Sequence, residues 1–339
     1  MLSYLHAFHA GNHADILKHT ALIQLLKKLN QKEAPYTFFD THAGSGLYST
    51  QSEKARKTGE AARGVLALAQ FASQDQNADG QNLGLATDTG SSPKSAALAD
   101  YLDFVRPYLA RDLYPGSPLI ERAFLRPDDA HTICELHPAE FESLKENAAQ
   151  AQEGAAPNSS LATVPKNAPH TQILKADGLK TLIAQTPPKI KRGAVLIDPS
   201  YEEASDYEAV KKTVIAVHKK WSVGIIMIWY PLLAHRAAEI ENMLESIIAA
   251  AKVQNANTNI LRAEFCVDAP QSHIETSLEE NAAAKAAAAG TSNAPRLYGS
   301  GILVVNSPWK LDEELDAALK HLSRVPGLAT EASYSITKI

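Results

Sequence analysis

The chain contains 339 residues, 45% of them hydrophobic, which is enough for one large α/β domain with additions or for two ordinary domains. The formal net charge of −5 argues against a general nucleic-acid coat protein, and no window reaches the ~18 apolar residues of a membrane span. The two cysteines, Cys134 and Cys266, lie far apart inside apolar runs, which argues against a disulfide framework and indicates a reducing cytoplasm.

The first third of the chain predicts a long helix, one strand and a helical insertion. Residues 13–29 carry apolar side chains at helical spacing, which predicts an amphipathic helix. The run YTFFD (36–40) predicts a short strand that ends in the loop THAGSGLYS. Helical patterns follow over 59–72 and 95–110, and the polar stretch between them predicts a loop.

Strands and helices alternate from residue 131 onward. Helical patterns cover 138–152, 178–185, 206–220 and 235–253, and apolar runs predict strands at 131–136, 171–177, 192–198, 222–231, 259–268 and 299–308. This alternation predicts an α/β fold with a doubly wound, mainly parallel sheet of seven strands, the last two able to pair antiparallel. The Ala-rich tract at 280–295 is interpreted as a surface insert.

The first strand ends in an acidic residue followed by a glycine-containing loop. In FFDTHAGSG, Asp40 closes the strand, and Gly44 and Gly46 allow the backbone to approach a ligand closely. Such a loop suits the amino-acid part of a nucleoside cofactor, whereas the spacing does not match a dinucleotide fingerprint. A tight turn that binds no ligand explains the same residues, and the sequence does not decide between these two interpretations.

The second strand ends at Glu135, in CELHP. An acid in this position can accept hydrogen bonds from both ribose hydroxyls of a nucleoside cofactor. It lies about 95 residues after the glycine loop, against about 20 in the dinucleotide fingerprint, so an insertion must occupy the first crossover. We therefore predict an N-terminal segment at 1–51, an inserted helical subdomain at 52–112 and the remainder of the domain at 113–339.

Acidic residues also end the third and fourth predicted strands. Asp177, in KADG, can accept a hydrogen bond from the exocyclic amine of an adenine, although a single acid in this position more often caps the following helix. Asp198 ends the strand AVLI. Four acids at four strand ends indicate a ligand site more strongly than any one of them, because these ends meet at one edge of a parallel sheet.

The tetrad Asp198-Pro199-Ser200-Tyr201 can hold a planar exocyclic amine. The carboxylate accepts one N–H, the carbonyl of Pro199 accepts the other, and the ring of Tyr201 stacks on the base, which must first be flipped out of its helix. Two such acceptors localise the nitrogen lone pair for attack on an activated methyl group. The simpler alternative is a proline-containing turn with a surface tyrosine.

This tetrad resembles the [DNS]-P-P-[YFW] motif of amino-methyltransferases that use S-adenosylmethionine. Over nearly its whole length the chain resembles the bacterial 23S ribosomal RNA adenine-N6 methyltransferase family of the RlmJ type. The resemblance implies a Rossmann-like, seven-stranded methyltransferase fold with an inserted small helical subdomain and an N-terminal helical segment. The matching segments are MLSYLHAFHAGNHADILKH (1–19), DTHAGSGLY (40–48), YPGSPL (114–119), ELHP (135–138), ADG (176–178), LIDPSYE (196–202), DYEAV (206–210), WYP (229–231) and NSPWKL (306–311).

The resemblance also implies roles for single residues. It makes Asp198 the catalytic acceptor at the target amine, and it makes Tyr4 and Lys18 contacts to substrate RNA. The residues implied to line the cofactor are His19, His42, Ser117, Glu135, Asp177 and Gly178. Ser200 departs from the motif by replacing its second proline, and the inserts at 73–97, 150–168 and 276–296 do not resemble the family.

Four histidines near the N-terminus raise the alternative of a metal site. His9 and His13 have the i, i+4 spacing of helical metal ligands, but no cysteine or acid with ligand spacing completes a set, and Gly11-Asn12 interrupts the helix. We therefore expect no metal and interpret these histidines as part of a polar lid over the cofactor and the incoming base.

The sequence thus predicts a monomeric cytoplasmic enzyme that transfers a methyl group from S-adenosylmethionine to the N6 amine of an adenine in large-subunit ribosomal RNA. One alternative with the same chemistry is a DNA adenine or protein-glutamine methyltransferase, since the pocket motif serves any planar amine or amide. Another is a catalytically silent nucleic-acid-binding module, which Ser200 alone favours.

Overall fold

A large sheet runs through the computed structural model, which describes residues 5–81, 95–152, 171–269 and 297–339. Tyr4 and most of the three predicted inserts lie outside the described residues. The strands are β1 (Thr37–Asp40), β2 (Leu47–Ser49), β3 (Leu113–Pro115), β4 (Ala130–Cys134), β5 (Thr171–Leu174), β6 (Gly193–Ile197), β7 (Ile225–Leu232), β8 (Ile260–Cys266), β9 (Gly299–Val305) and β10 (Ser333–Lys338).

Eight of these strands form the large sheet, in the order β10-β8-β9-β7-β6-β1-β4-β5. The five strands from β7 to β5 are parallel, whereas β9 pairs antiparallel with both β7 and β8, and β10 pairs antiparallel with β8. The predicted doubly wound, mainly parallel sheet is therefore confirmed, and all seven predicted strands are present. The additional strand β10 lies at the edge with mostly exposed side chains, so its sequence carries little hydrophobic signal.

Helices cover both faces of the sheet. They are α1 (His13–Asn30), α2 (Glu53–Thr58), α3 (Ala67–Gln81), α4 (Ala96–Leu109), α5 (Ser117–Phe124), α6 (Pro138–Gln152), α7 (Gly178–Gln185), α8 (Ala204–Lys220), α9 (Ala237–Gln254) and α10 (Leu311–Leu322). One hydrophobic cluster joins α1, α4 and α10 to one face, and a second joins α7, α8 and α9 to the other. None of the described helices is both long and apolar enough to cross a membrane.

Helix α1 is more deeply buried than its amphipathic pattern predicts. Asn12 caps it, with its side chain accepting from the N–H of Asp15 at 3.0 Å. Helices α4, α5 and α10 and strand β9 all pack against it, so even its polar residues Asp15, Lys18 and His19 are buried. A charged group buried in this way needs a partner, and this requirement makes α1 part of the site described below.

The predicted insertion at 52–112 begins and ends beside a small two-stranded sheet. Strands β2 and β3 pair antiparallel, with Leu47 opposite Pro115 and Ser49 opposite Leu113. The chain therefore enters the insertion and returns from it at the same place. The buried side chains of α4, among them Leu98 and Tyr101, belong to the same core as α1. The division into segments at 1–51, 52–112 and 113–339 stays a prediction.

Candidate active site

The register of the parallel strands brings the predicted acids to one edge of the sheet. Asp40 pairs with Ile133 on one side and with Leu196 on the other. Glu135 and Asp198 each follow two residues after these partners, just beyond the ends of β4 and β6. The loops after β1, β4 and β6 therefore meet at the carboxyl edge, where ligands bind in doubly wound sheets.

Glu135 holds the glycine loop in place. Its two carboxyl oxygens accept from backbone N–H groups, Oε2 from Gly44 at 2.7 Å and Oε1 from His137 at 2.6 Å. Burial raises the pKa of Glu135 above its usual value, although these two hydrogen bonds oppose the shift. Each oxygen retains a lone pair, so a half-buried Glu135 can still accept from ribose hydroxyls.

Asp40 points into the protein. The hydroxyl of Ser117 donates to its Oδ2 at 2.7 Å, the N–H of His42 donates to its Oδ1 at 3.0 Å, and the residue is 1% exposed. Burial, first, and the neighbouring carboxyl of Glu121, second, raise the pKa of Asp40 well above its usual value. Asp40 and Ser117 thus join the glycine loop to the N-terminus of α5. A direct contact of either residue with a cofactor stays a prediction.

His42 follows in the same loop. Burial lowers the pKa of its imidazole to about 4, so the ring is neutral near pH 7, and its Nδ1 hydrogen-bonds to Thr41 at 2.8 Å. The side chain remains partly exposed at the loop. A neutral, partly exposed imidazole is compatible with the predicted place beside a cofactor.

Asp177 caps helix α7, which is one of the two roles its position allows. Its Oδ1 accepts from the N–H of Lys180 at 3.1 Å, and its Oδ2 lies 3.0 Å from the Lys180 ammonium. Burial opposes ionisation of Asp177, but the contacts with Lys180 outweigh it and lower the pKa. The next residue, Gly178, lies against the first loop, where a Cβ atom would stand 2.0 Å from the carbonyl oxygen of Thr41.

Asp198 is paired with a lysine from α1, far away in the sequence. Nζ of Lys18 donates to Asp198 Oδ2 at 2.7 Å and lies 2.9 Å from Asp15 Oδ1, so one ammonium bridges two carboxylates. Burial opposes the charge on Lys18, but Asp15 and Asp198 together hold its pKa well above the usual value. Burial raises the pKa of Asp198, and Lys18 opposes that shift.

Tyr201 lies beneath the Asp198 loop. It adopts a left-handed backbone conformation, with φ of 51°, and only 3% of the residue is exposed. Its hydroxyl donates to the carbonyl of Trp229 at 2.9 Å, and its ring contacts Tyr207 and Trp229. The ring thus supports the loop, so the alternative of a surface tyrosine is wrong. Stacking of this ring on a base, like the amine contact of Pro199, stays a prediction.

His19 lies on the inner side of α1 in a buried polar cluster. Its Nδ1 hydrogen-bonds to the hydroxyl of Tyr114 at 2.8 Å, and Tyr114 in turn contacts Tyr101 at 3.0 Å. Burial lowers the pKa of His19 to about 3. None of the contacts among the described residues links His19 to Glu135 or to the glycine loop, so its cofactor role stays a prediction.

Three residues of the site have no predicted role in the sequence. Asp15 orders the N-terminal segment, because its Oδ2 lies 2.9 Å from Nε2 of His6 and accepts from the N–H of Gly11 at 2.8 Å. The ring centroid of Trp229, in the segment WYP, lies 5.9 Å from Nζ of Lys18. Glu121 is fully buried beside His131, 2.9 Å from its Nε2. The i, i+3 spacing of Asp15 and Lys18 was the available signal for the first of these.

Within the described residues, no group of three or more histidine, cysteine, aspartate or glutamate side chains is arranged to hold a metal ion. His9 instead contacts the carboxylate of Glu60 at 2.9 Å, and Asn12 donates to the same carboxylate. These contacts attach the N-terminal segment to the region of residues 52–112.

Comparisons with known proteins agree on one family. The family model described as ribosomal RNA large subunit methyltransferase D, RlmJ, matches residues 33–83 and 84–278. Ribosomal RNA large subunit methyltransferase J of Escherichia coli is 31% identical over 340 residues, covering 99% of this chain and 98% of the relative. The protein of the same name from Haemophilus influenzae is 31% identical over 330 residues, covering 96% of this chain and 94% of the relative.

A solved structure shows the same fold. The crystal structure of a protein from Legionella pneumophila str. Philadelphia 1 superposes with a TM-score of 0.66 at 23% identity, covering 97% of this chain and 98% of that one. The predicted α/β fold is thereby confirmed over nearly the whole chain. Together with the family match and the two relatives, this shows that the chain belongs to the RlmJ family of ribosomal RNA large subunit methyltransferases.

Proposed function

We propose that this protein transfers a methyl group from S-adenosylmethionine to the N6 amine of an adenine in 23S ribosomal RNA. One observation carries the proposal. The loop of Gly44, which is held by Glu135, and the loop of Asp198 lie at the same edge of the sheet. The relatives, which bear the name ribosomal RNA large subunit methyltransferase J, support the choice of RNA as the substrate. The same proposal includes that the protein acts as a monomer in the cytoplasm.

The described residues fit S-adenosylmethionine. Glu135 retains lone pairs that can accept from its ribose hydroxyls, and Gly44 and Gly46, both with positive φ, allow the backbone to approach its amino-acid end. His42 lies on the same loop as Gly44, and Asp177 follows β5, where it can accept from the adenine amine while it caps α7. When bound, S-adenosylmethionine supplies a methyl group already activated by a positively charged sulfur.

The Asp198 loop supplies the acceptors for the target amine. Asp198 Oδ2 and the carbonyl of Pro199 each accept one N–H of N6, which localises the nitrogen lone pair toward the methyl group. Lys18 also donates to Oδ2, whose second lone pair remains for the amine. The proton lost from N6 passes to solvent while Asp198 remains the hydrogen-bond acceptor.

Lys18 has a second part in this proposal. Its charge lies between Asp15 and Asp198, where it can contact the base of the flipped nucleotide beside Asp198. The predicted RNA contact of Tyr4 belongs to the same proposal and lies outside the described residues. The chain is acidic overall, so its affinity for RNA requires exposed local cations in addition to Lys18.

The proposed function is tested with labelled S-adenosylmethionine and ribosomal RNA from cells that lack this gene. We expect label in N6-methyladenosine after digestion of the RNA to nucleosides, and no label in RNA from cells that carry the gene. Duplex DNA containing adenine serves as the competing substrate. Label in DNA but not in RNA, or cofactor binding without any methyl transfer, would contradict the proposal.

A further inference from the structure

Exposed apolar side chains are concentrated at the end of the sheet opposite the candidate active site. Five large apolar side chains of the described residues are exposed, and four of them lie at this end. They are Val223 (63% exposed), Val253 (89%), Trp309 (79%) and Ile339 (37%). Val223 precedes β7, Val253 belongs to the last turn of α9, and the other two follow the antiparallel strands β9 and β10.

Hydrogen bonds join the loops that carry these side chains. The amide of Asn306 donates to the carbonyls of Ser222 and Gly224 at 2.9 and 2.7 Å. The N–H of Ser307 donates to the carbonyl of Asn259 at 2.9 Å, and Ile339 and Ile260 exchange backbone hydrogen bonds. The loops that carry Val223, Trp309 and Ile339 are thus joined, and we call these three side chains, together with Val253 in the last turn of α9, the basal patch.

A cavity of about 230 Å³ opens beside the basal patch, between the last turns of α8 and α9. Its walls are mainly apolar and include Ile215, Ile247 and Val305, with Val253 at the rim. His218 also lines it, and although the residue is only 4% exposed, neither ring nitrogen has a hydrogen-bond partner. A buried imidazole without partners is unfavourable, so His218 offers a hydrogen-bonding atom to an otherwise apolar group that enters the cavity.

Lysines surround the cavity and the patch. Lys219, Lys220 and Lys252 lie at the ends of α8 and α9, and none of them forms an ion pair within the part of the chain that the structure describes. Exposed Lys189 and Lys191 precede β6 at the same end. The ends of α8 and α9 around the cavity are therefore basic in a chain whose net charge is −5. The acidic residues beside Trp309, which are Asp312, Glu313 and Glu314 in the first turn of α10, are paired with lysines.

We propose that the basal patch and its cavity bind an acidic amphipathic segment of another protein, which inserts one large side chain beside His218. Apart from His218, Lys219 and Gln254 the walls are aliphatic, so the cavity favours an apolar side chain over a sugar or a phosphate, which argues against RNA as the occupant. Pairing of two copies of this chain through the same patch would bring lysines against lysines, which argues against self-association. Acidic groups flanking an apolar anchor complement both the cavity and the lysines.

The test uses the full chain in its own cells, with a photo-crosslinking amino acid at position 253 and, separately, at position 309. We expect both positions to capture the same acidic polypeptide and to lose it when Lys219→Glu and Lys252→Glu are combined. The same crosslinker at position 136 is the matched control, because Leu136 is also exposed but lies beside Glu135. Crosslinks to RNA, to a second copy of the chain, or to nothing would overturn the proposal.

A second measurement separates binding from catalysis. A fluorescent peptide from the captured polypeptide should bind the wild-type chain, and the two lysine reversals should weaken it by about tenfold or more. Methyl transfer to purified ribosomal RNA should stay unchanged in these variants, because the patch lies at the far end of the sheet from Asp198. Equal peptide affinity in wild type and variant would contradict the assignment of the patch, whatever the outcome for methylation.

Discussion

The two sides of the candidate active site are built differently. On the cofactor side, Glu135 is held by backbone N–H groups of its own and the neighbouring loop. On the substrate side, Asp198 is held by the ammonium of Lys18, which is 180 residues away and is shared with Asp15. The first arrangement depends on loop conformation, whereas the second depends on one buried charge. We therefore expect mutations on the two sides to have different consequences.

The largest effect is expected for Asp198→Ala. Loss of the acceptor should lower kcat for ribosomal RNA by about 10²–10⁴-fold, while the affinity for S-adenosylmethionine is retained. Kinetics and calorimetry on the same preparation measure both. Asp103→Ala, which removes an exposed carboxylate from α4, is the control. Normal turnover by Asp198→Ala would end the catalytic assignment.

Next in size is the loss of the buried ammonium in Lys18→Met. Asp15 and Asp198 would then lie buried without the charge that bridges them, which should lower the free energy of unfolding by about 3–5 kcal/mol. Urea denaturation measures the change. Lys27→Met on the same helix removes a more exposed ion pair to Asp100 and should change stability by less than about 1 kcal/mol.

Lys18→Arg keeps a cation in place and should recover most of the stability that Lys18→Met loses. If both Lys18 variants were as stable as the wild-type protein, the bridging charge would have no structural role, and the contrast between the two sides would disappear.

On the cofactor side, Glu135→Ala should act on binding rather than on chemistry. Removal of hydrogen bonds to a charged acceptor should weaken S-adenosylmethionine by about 10–100-fold, with a smaller change in kcat at saturating cofactor. Calorimetry gives the affinity. Glu142→Ala on α6, where the carboxylate is exposed, should leave binding unchanged. A fall in kcat with unchanged affinity for S-adenosylmethionine would contradict the assignment of Glu135 to cofactor binding.

The smallest expected effect is the pH dependence contributed by Glu121. Burial raises its pKa from 4.5 to about 8, so above pH 4.5 the folded state retains a proton that the unfolded state has lost. Its contribution to the free energy of unfolding therefore falls as the pH rises from about 4.5 to about 8 and is level above that. Glu121→Gln removes this dependence.

Unfolding of wild type and Glu121→Gln should be compared at pH 5 and pH 8. The variant should gain relative stability at the higher pH, by on the order of 1 kcal/mol, because relaxation and water penetration reduce the effect of burial. A difference that does not vary with pH would show that Glu121 does not hold a proton in the folded state.

Much of the cofactor side could be predicted because strand-end acids and the glycine loop are local features. A run such as AVLID shows both the strand and the acid that ends it, and parallel strands bring such ends to one edge. The edge strand β10 and the short elements β2, β3 and α5 were not predicted. Their few residues carry too little hydrophobic periodicity to be separated from loops.

Side-chain partners were the part that no local pattern could supply. The sequence allows Asp177 to cap α7 or to bind a ligand, and in the structure its side chain caps α7. The sequence allows the ring of Tyr201 to lie either in the pocket or at the surface, and the structure buries it against Tyr207 and Trp229. Such partners come from helices and strands that are distant in sequence, so their identity depends on packing.

By itself, the sequence determined the alternation of strands and helices, the acids at four strand ends and the family to which the chain belongs, because each of these is written in contiguous residues. Only the tertiary structure decided that Lys18 bridges Asp15 and Asp198, that Glu121 is enclosed beside His131, and that exposed apolar side chains gather at the opposite end of the sheet. The physical reason is that burial and ion pairing depend on which distant segments pack together, and packing is a property of the whole fold.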